Sequence, residues 1–136
     1  MPLHWTIDSD FRFLNVVAKG DVSRPEVERL LDEMASREAM AYRKLFDGWH
    51  GDTAMGPQDL LALGVRMRAH HALGPMGPLA LVLPDKKAEI VVPILGMLAA
   101  ADRPMRIFET PQKARRWLVS FGGPLPRSTL AALRLD

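Results

Sequence analysis

The 136-residue chain contains no cysteine. Disulfide bonds, thiolate metal sites and a cysteine nucleophile are therefore excluded, and the composition fits a reducing compartment. The first residues lack a basic region followed by an apolar run, so they do not predict a signal peptide. The longest apolar stretch, residues 90–101, contains Pro93 and is too short to span a bilayer. We therefore expect a cytoplasmic protein with no membrane span.

The chain also carries little net charge. The formal net charge is +2, and the main local excess of basic residues is formed by Lys113, Arg115 and Arg116. A domain that binds nucleic acid usually carries a broader basic stripe, so we expect no nucleic-acid partner. The apolar content of 48% and the charged content of 25% are ordinary for a globular protein, and the length fits one domain.

Alternating apolar and polar residues predict an amino-terminal antiparallel hairpin, with strands at residues 5–7 and 11–18. Helical and strand patterns then alternate along the chain, and the third predicted helix reaches residue 101. We therefore predict a single-domain α/β fold with a mixed sheet, in the order β-β-α-β-α-β-α-β-α. The later strand pairs are expected to be parallel, with right-handed crossovers. The patterns place the later strands at residues 44–46, 79–83 and 104–108, and the helix starts near residues 23, 57, 85 and 110.

The sequence divides into a domain, residues 1–121, and a tail, residues 122–136. Gly122 and Gly123 predict a flexible joint, and the tail predicts a short apolar helix that is unstable alone. It must therefore dock on its own subunit or on a neighbour. The joint favours docking across a homodimer. The apolar side chains that require burial are Leu125, Leu130, Leu133 and Leu135.

Asp47 directly follows the strand predicted at residues 44–46, and a glycine-containing loop is predicted after it. Ligands of open α/β sheets bind at the carboxyl ends of strands. Asp47, His50 and Asp52 are the only tight group of metal or acid–base residues, so a metal-assisted or acid–base enzyme is one alternative. No fourth ligand is implied, and we expect no metal, no cofactor and no catalytic residue. Trp49 is the aromatic residue in this loop that is best suited to contact a partner.

Methionines form a second feature of interest. Methionine fills irregular space and also lines adaptable apolar pockets. Met55, Met67 and Met97 fall around the second and third predicted helices. They either fill the core or line a pocket for a lipophilic ligand between these two helices. In the second helix, Leu60, Leu61, Gly64 and Met67 are expected to face inward.

The chain resembles the STAS-like superfamily, specifically its SpoIIAA-like branch, which overlaps with Sec14-type lipid-binding domains. The resemblance covers about residues 4–120 and lies in the order and spacing of four segments. They are Val17-Ala18-Lys19-Gly20-Asp21-Val22-Ser23, Tyr42-Arg43-Lys44-Leu45-Phe46-Asp47, Ala80-Leu81-Val82-Leu83-Pro84, and Arg106-Ile107-Phe108-Glu109-Thr110 with residues 114–118.

This resemblance implies a non-enzymatic regulatory or ligand-binding module that binds a protein partner or a small apolar ligand. In the anti-sigma-factor antagonists of this superfamily, a phosphorylatable serine follows the strand that ends in aspartate. Here no serine lies nearby, and Thr53 is the nearest hydroxyl. A phosphorylation switch at Thr53 is therefore a further alternative. The candidate ligand- or partner-binding residues are Asp47, Trp49, His50, Thr53, Met55, Met67 and Met97.

Overall fold

The computed structural model describes residues 2–89 and 104–127, apart from the side chain of His71. A short stretch at residues 85–89 is also helical. No helix in this part of the chain is both long and apolar enough to cross a membrane. The main elements are β1 (Leu3–Asp8), β2 (Phe13–Asp21), α1 (Arg24–Ser36), β3 (Arg43–Asp52), α2 (Pro57–Leu73), β4 (Leu79–Val82), β5 (Met105–Phe108) and α3 (Pro111–Val119).

These strands form one mixed sheet in the order β1-β2-β3-β4-β5. β1 pairs antiparallel with β2, and the other neighbours pair in parallel. The predicted hairpin and mixed sheet are therefore confirmed. In the hairpin turn, Asp8 Oδ1 accepts a hydrogen bond from the backbone N–H of Phe11 at 2.9 Å. Arg12 adopts a φ of 52°, a left-handed conformation that closes the turn.

Each face of the sheet carries its own apolar core. Because every crossover steps from one strand to the next in the same direction, right-handed crossovers bring α1 and α2 to one face. α3 follows the last strand and covers the other face. The buried residues of the α1/α2 core are Leu3, Leu14, Val16, Ala18, Val22, Leu30, Leu31, Met34 and Leu63. Those of the α3 core are Phe13, Leu45, Ala80, Val82, Ala114 and Leu118.

β3 is much longer than predicted. The predicted loop after Phe46 was wrong, because pairing with β2 continues from Lys19 opposite His50 to Asp21 opposite Asp52. The register shifts once, between Val17 and Lys19 on β2. This irregularity lets β3 continue beside β2 through its two glycines.

Arg43 at the start of β3 joins three distant segments. Its guanidinium donates hydrogen bonds to the carbonyl oxygens of Phe11 at 2.9 Å, Leu118 at 3.2 Å and Gly123 at 2.6 Å. Arg43 is 7% exposed, and this burial lowers its pKa from the ordinary arginine value. Gly123, predicted to be part of a flexible joint, is therefore bound to its own sheet.

The chain beyond α3 stays attached to its own subunit as far as residue 127. Leu125 packs against the α3 core, and the guanidinium of Arg115 donates to the carbonyl oxygen of Pro126. The first of the four tail leucines therefore docks in cis. Three predicted features lie outside the described residues. They are the tail helix containing Leu130, Leu133 and Leu135, the part of the third predicted helix beyond residue 89, and Met97.

Candidate functional site

The carboxyl end of β3 does not assemble the predicted chemical cluster. Asp47 is buried, and its Oδ1 accepts a hydrogen bond from the backbone N–H of Trp49 at 3.2 Å. His50 and Asp52 are exposed. Within residues 2–89 and 104–127, no group of three or more histidines and carboxylates could hold a metal ion. These three residues therefore do not form a metal-ligand set in the described part of the chain.

Trp49 is a strand residue rather than a loop residue. Its ring is partly buried and packs against the α3 core. Lys87 donates to the carbonyl oxygen of Trp49 at 3.4 Å and also to that of Gly51. These contacts tie the helical stretch at residues 85–89 to the end of β3. Much of the Trp49 surface thus serves packing within the chain.

Thr53 is held by backbone groups on both sides. Its hydroxyl donates to the carbonyl oxygen of Val22 at 2.7 Å and accepts from the backbone N–H of Met55 at 3.0 Å. The side chain therefore joins the end of β2 to the connection between β3 and α2. Phosphorylation of Thr53 would remove the donated bond, so this hydroxyl stabilises the local backbone in its unmodified form.

The predicted site residues divide between the two faces of the sheet. Met55 and Met67 are partly buried and pack against the α1/α2 core, whereas Trp49 packs against the α3 core. Met55 and Met67 therefore fill space next to the core, in line with the core-filling alternative. The sheet separates them from Trp49, so the predicted residues do not form one pocket.

An exposed apolar ridge runs along α2, and sequence reasoning missed it. Leu61, Val65 and Leu73 are 55%, 60% and 87% exposed, and Ala69 is exposed between them. These four residues, here called the α2 ridge, follow one another at i, i+4 spacing on the solvent side of the helix. The prediction that Leu61 faces inward was wrong, because Leu63 and Gly64 are the buried residues of that turn.

The inner side of α2 explains why the ridge is left outside. α2 is apolar on most of its circumference, and only the sector containing Leu63, Gly64 and Met67 reaches the sheet. A second sector, beside α1, is occupied by Arg66, which contacts Glu28 at 3.0 Å. Most of the apolar residues that remain are exposed. A helix with apolar residues all round is the sequence signal that could have revealed this face.

A second surface feature lies beside α1, between this helix and β1. An open groove of about 600 Å³ separates α1 from β1. Trp5 forms its apolar part, and α1 supplies side chains of both charges. The lining residues are Trp5, Arg29, Asp32, Glu33, Ser36 and Arg37.

A search of solved structures finds a similar fold. One match is the 2.25 Å crystal structure of an uncharacterized protein from the DUF3478 family with a SpoIIAA-like fold, from Shewanella loihica PV-4. It has a TM-score of 0.57 and 18% sequence identity, and covers 85% of this chain and 91% of that chain. No protein-family model and no curated protein matches the sequence.

The class of protein is therefore defined by its fold. In the residues that the structure describes, five strands in consecutive order, an antiparallel first strand and alternating helices give the chain a SpoIIAA-like fold. The resemblance of the sequence to this class is confirmed at the level of fold.

Proposed function

We propose that the protein is a non-enzymatic, cytoplasmic regulatory module that binds a protein partner through the α2 ridge. The observation that carries this proposal is the exposure of Leu61, Val65 and Leu73 on one side of one helix. A contiguous apolar patch is costly to leave in water and marks an interaction site.

The shape of the ridge favours a protein over a small ligand. Sites for small ligands are concave and enclose most of the ligand surface. The α2 ridge is convex, and the neighbouring Met55 and Met67 are used to pack the core. A helix that presents apolar side chains at i, i+4 spacing fits an apolar groove on another protein. The ridge spans residues 61–73, roughly 18 Å at the rise of an α-helix, which is long enough for such a groove.

The proposal is tested by photo-cross-linking in cells of the source organism. A photoreactive amino acid replaces Val65 in one protein and Val119 in another. Val119 is a matched control, because it is also an exposed valine on a helix, at 40% exposure, but it lies at the end of α3. Adducts are identified by mass spectrometry, and the identified protein is then purified for binding measurements.

We expect one defined protein to be cross-linked from position 65 and not from position 119. Adducts with lipid alone would indicate a membrane or lipid ligand and would overturn the choice of a protein partner. Equal adducts from both positions would show non-specific contact and would also contradict the proposal.

A further inference from the structure

β1 is an open edge of the sheet. In the part of the chain that the structure describes, it pairs with β2 and with no strand on its other side. Its six residues pair with β2 without interruption, from Leu3 opposite Ala18 to Asp8 opposite Phe13. The opposite edge, β5, has only four residues. β1 is therefore the longer of the two edges.

The hydrogen-bond pattern fixes which backbone groups of β1 face outward. The backbone N–H of Lys19 donates to the carbonyl oxygen of Pro2 at 2.8 Å, so this pair is a hydrogen-bonded pair of the antiparallel ladder. Such pairs alternate with non-hydrogen-bonded pairs along the ladder. Residues 4, 6 and 8 therefore bond to β2. Leu3, Trp5 and Ile7 direct their N–H and C=O groups away from it.

β1 lacks the features that usually protect an edge strand. Natural edges carry lysine, proline or a bulge that prevents pairing with another chain. β1 has no lysine, no proline and no register shift within residues 3–8. Its only formally charged side chain is that of the terminal Asp8. An incoming strand would thus meet no barrier of charge or shape along most of this edge.

We propose that β1 pairs with β1 of a second copy of the chain, about a two-fold axis, to form a continuous ten-stranded sheet. One register uses every outward group on both strands. Trp5 lies opposite Trp5 of the partner subunit, and Leu3 lies opposite Ile7 of the partner subunit. The three outward-facing residues of each strand then form six backbone hydrogen bonds. A second copy carries the same unprotected edge, so this one contact covers both edges at once.

The side chains suit this arrangement. His4 and Thr6 are exposed, and in this register each lies opposite the other across the axis, so no like charges meet. The groove between β1 and α1 provides open space next to Trp5 for the ring of the partner's Trp5. Arg37 and Glu33, which are 3.8 Å apart, place both charges at the groove, so two copies of it are complementary. The interface leaves the α2 ridge free and does not depend on the proposed function.

The register is tested by cysteine cross-linking, since the chain has no native cysteine. His4→Cys and Thr6→Cys are made as separate proteins. Across the proposed interface, residue 4 and the partner's residue 6 are a non-hydrogen-bonded pair with Cα atoms about 4.5 Å apart, within the range of a disulfide. Two copies of residue 4 would be about 8 Å apart, beyond that range. When the two proteins are mixed, we therefore expect efficient oxidation to covalent dimers. Either protein alone should form few covalent dimers.

Charge variants provide an independent readout. In sedimentation equilibrium we expect the wild-type chain to dimerise. His4→Lys/Thr6→Lys places lysines opposite lysines twice by symmetry and should weaken dimerisation at least about tenfold. The matched variant His4→Lys/Thr6→Glu places opposite charges across the axis and should remain dimeric. Both variants alter only exposed side chains, and circular dichroism checks that both are folded.

Two results would overturn the proposal. One is a wild-type chain that sediments as a monomer up to the high micromolar range. The other is a dimer in which the mixed cysteine proteins cross-link no better than the single ones, because such a dimer uses another surface.

Discussion

Arg43 is the residue on which the ends of the fold converge. Its guanidinium bonds to carbonyl oxygens from the hairpin turn, from the end of α3 and from the segment after it. Because these acceptors are all peptide carbonyl groups, peptide dipoles stabilise the charge. A planar, multivalent donor is suited to such a set, whereas lysine supplies a single point charge.

Replacing Arg43 should therefore destabilise the protein without affecting exposed surfaces. Arg43→Met keeps much of the side-chain volume but leaves buried carbonyl oxygens without their donor. We predict a loss of about 2–4 kcal/mol in the free energy of unfolding, measured by urea denaturation. Arg116→Met, on the exposed side of α3, is the control and should change stability by less than about 0.5 kcal/mol. Equal effects of the two substitutions would contradict the role assigned to Arg43.

Gly77 gives a second test at this scale. A Cβ atom built on Gly77 would overlap the carbonyl oxygens of Ala41 and Tyr42, so the backbone before β4 lies directly against the backbone before β3. Gly77→Ala should lower the melting temperature markedly, with a loss of at least about 2 kcal/mol. Gly74→Ala is the matched control, since its Cβ would meet nothing within 4 Å. If the two variants melt alike, the close approach at Gly77 is wrong.

At the scale of elements, α1 and α2 are joined by an ion network beside their apolar contacts. Arg66 on α2 contacts Glu28 at 3.0 Å and also Asp32, and Arg24 on α1 contacts Asp59 on α2 at 3.6 Å. These groups are partly exposed, so the network contributes modestly to stability. The network lies beside the apolar contacts between the two helices, and in this arrangement the α2 ridge is on the outside.

Arg66→Met should therefore reduce stability in a salt-dependent way. Methionine retains the apolar stem of the side chain and removes two ion pairs. We predict a loss of about 1 kcal/mol at low ionic strength, which shrinks as sodium chloride screens the remaining charges. Chemical denaturation by urea at several salt concentrations provides the measurement. A loss that does not depend on salt would indicate a packing defect instead of lost ion pairs.

β3 illustrates why the sequence predicted this element only in part. Glycine is depleted in strands, so Gly48 and Gly51 suggested a loop. The structure places them where neighbours come close: a Cβ on Gly48 would lie 2.7 Å from Leu83 Cδ2, and one on Gly51 would lie 2.7 Å from Ala18 Cβ. These contacts come from distant parts of the chain, and no local pattern reveals them.

The positions of the helix starts could be predicted from the sequence, but the capping hydrogen bonds at these starts could not. Thr110 lies at the predicted start of α3 and caps it, because its side chain accepts from the backbone N–H of Lys113 at 3.3 Å. Ser23 precedes α1, but its side chain makes no capping hydrogen bond. Both residues belong to the types preferred at the N-cap. Local sequence thus located both helix starts and could not tell which side chain makes the bond.

At the scale of the whole molecule, the sheet was predictable because its hairpin and its alternating β/α units each leave a local periodic pattern. The exposed surface was not. Whether Leu61 or Leu63 is buried depends on how α2 is rotated against α1 and the sheet, and no local pattern reveals that rotation. In the structure, Leu63 and Met67 pack on the α1/α2 core. The candidate site therefore moved from the end of β3 to the α2 ridge.

The molecule has two separate candidate binding surfaces. We propose that the α2 ridge binds a protein partner and that the β1 edge binds a second copy of the chain. The two surfaces share no residue, so substitutions in one should leave the other intact. This independence lets each proposal be tested in a protein that retains the other.

The most direct test of the central claim is the affinity of the cross-linked partner for three forms of the chain. These are the wild type, Leu61→Gln/Val65→Gln and His50→Ala, with His50 representing the exposed end of β3. If the partner binds the α2 ridge, the α2 double variant should bind at least about tenfold more weakly, since central apolar contacts dominate such interfaces. His50→Ala should bind like the wild type. Loss of affinity in His50→Ala with normal binding by the double variant would contradict the account and return the site to the end of β3.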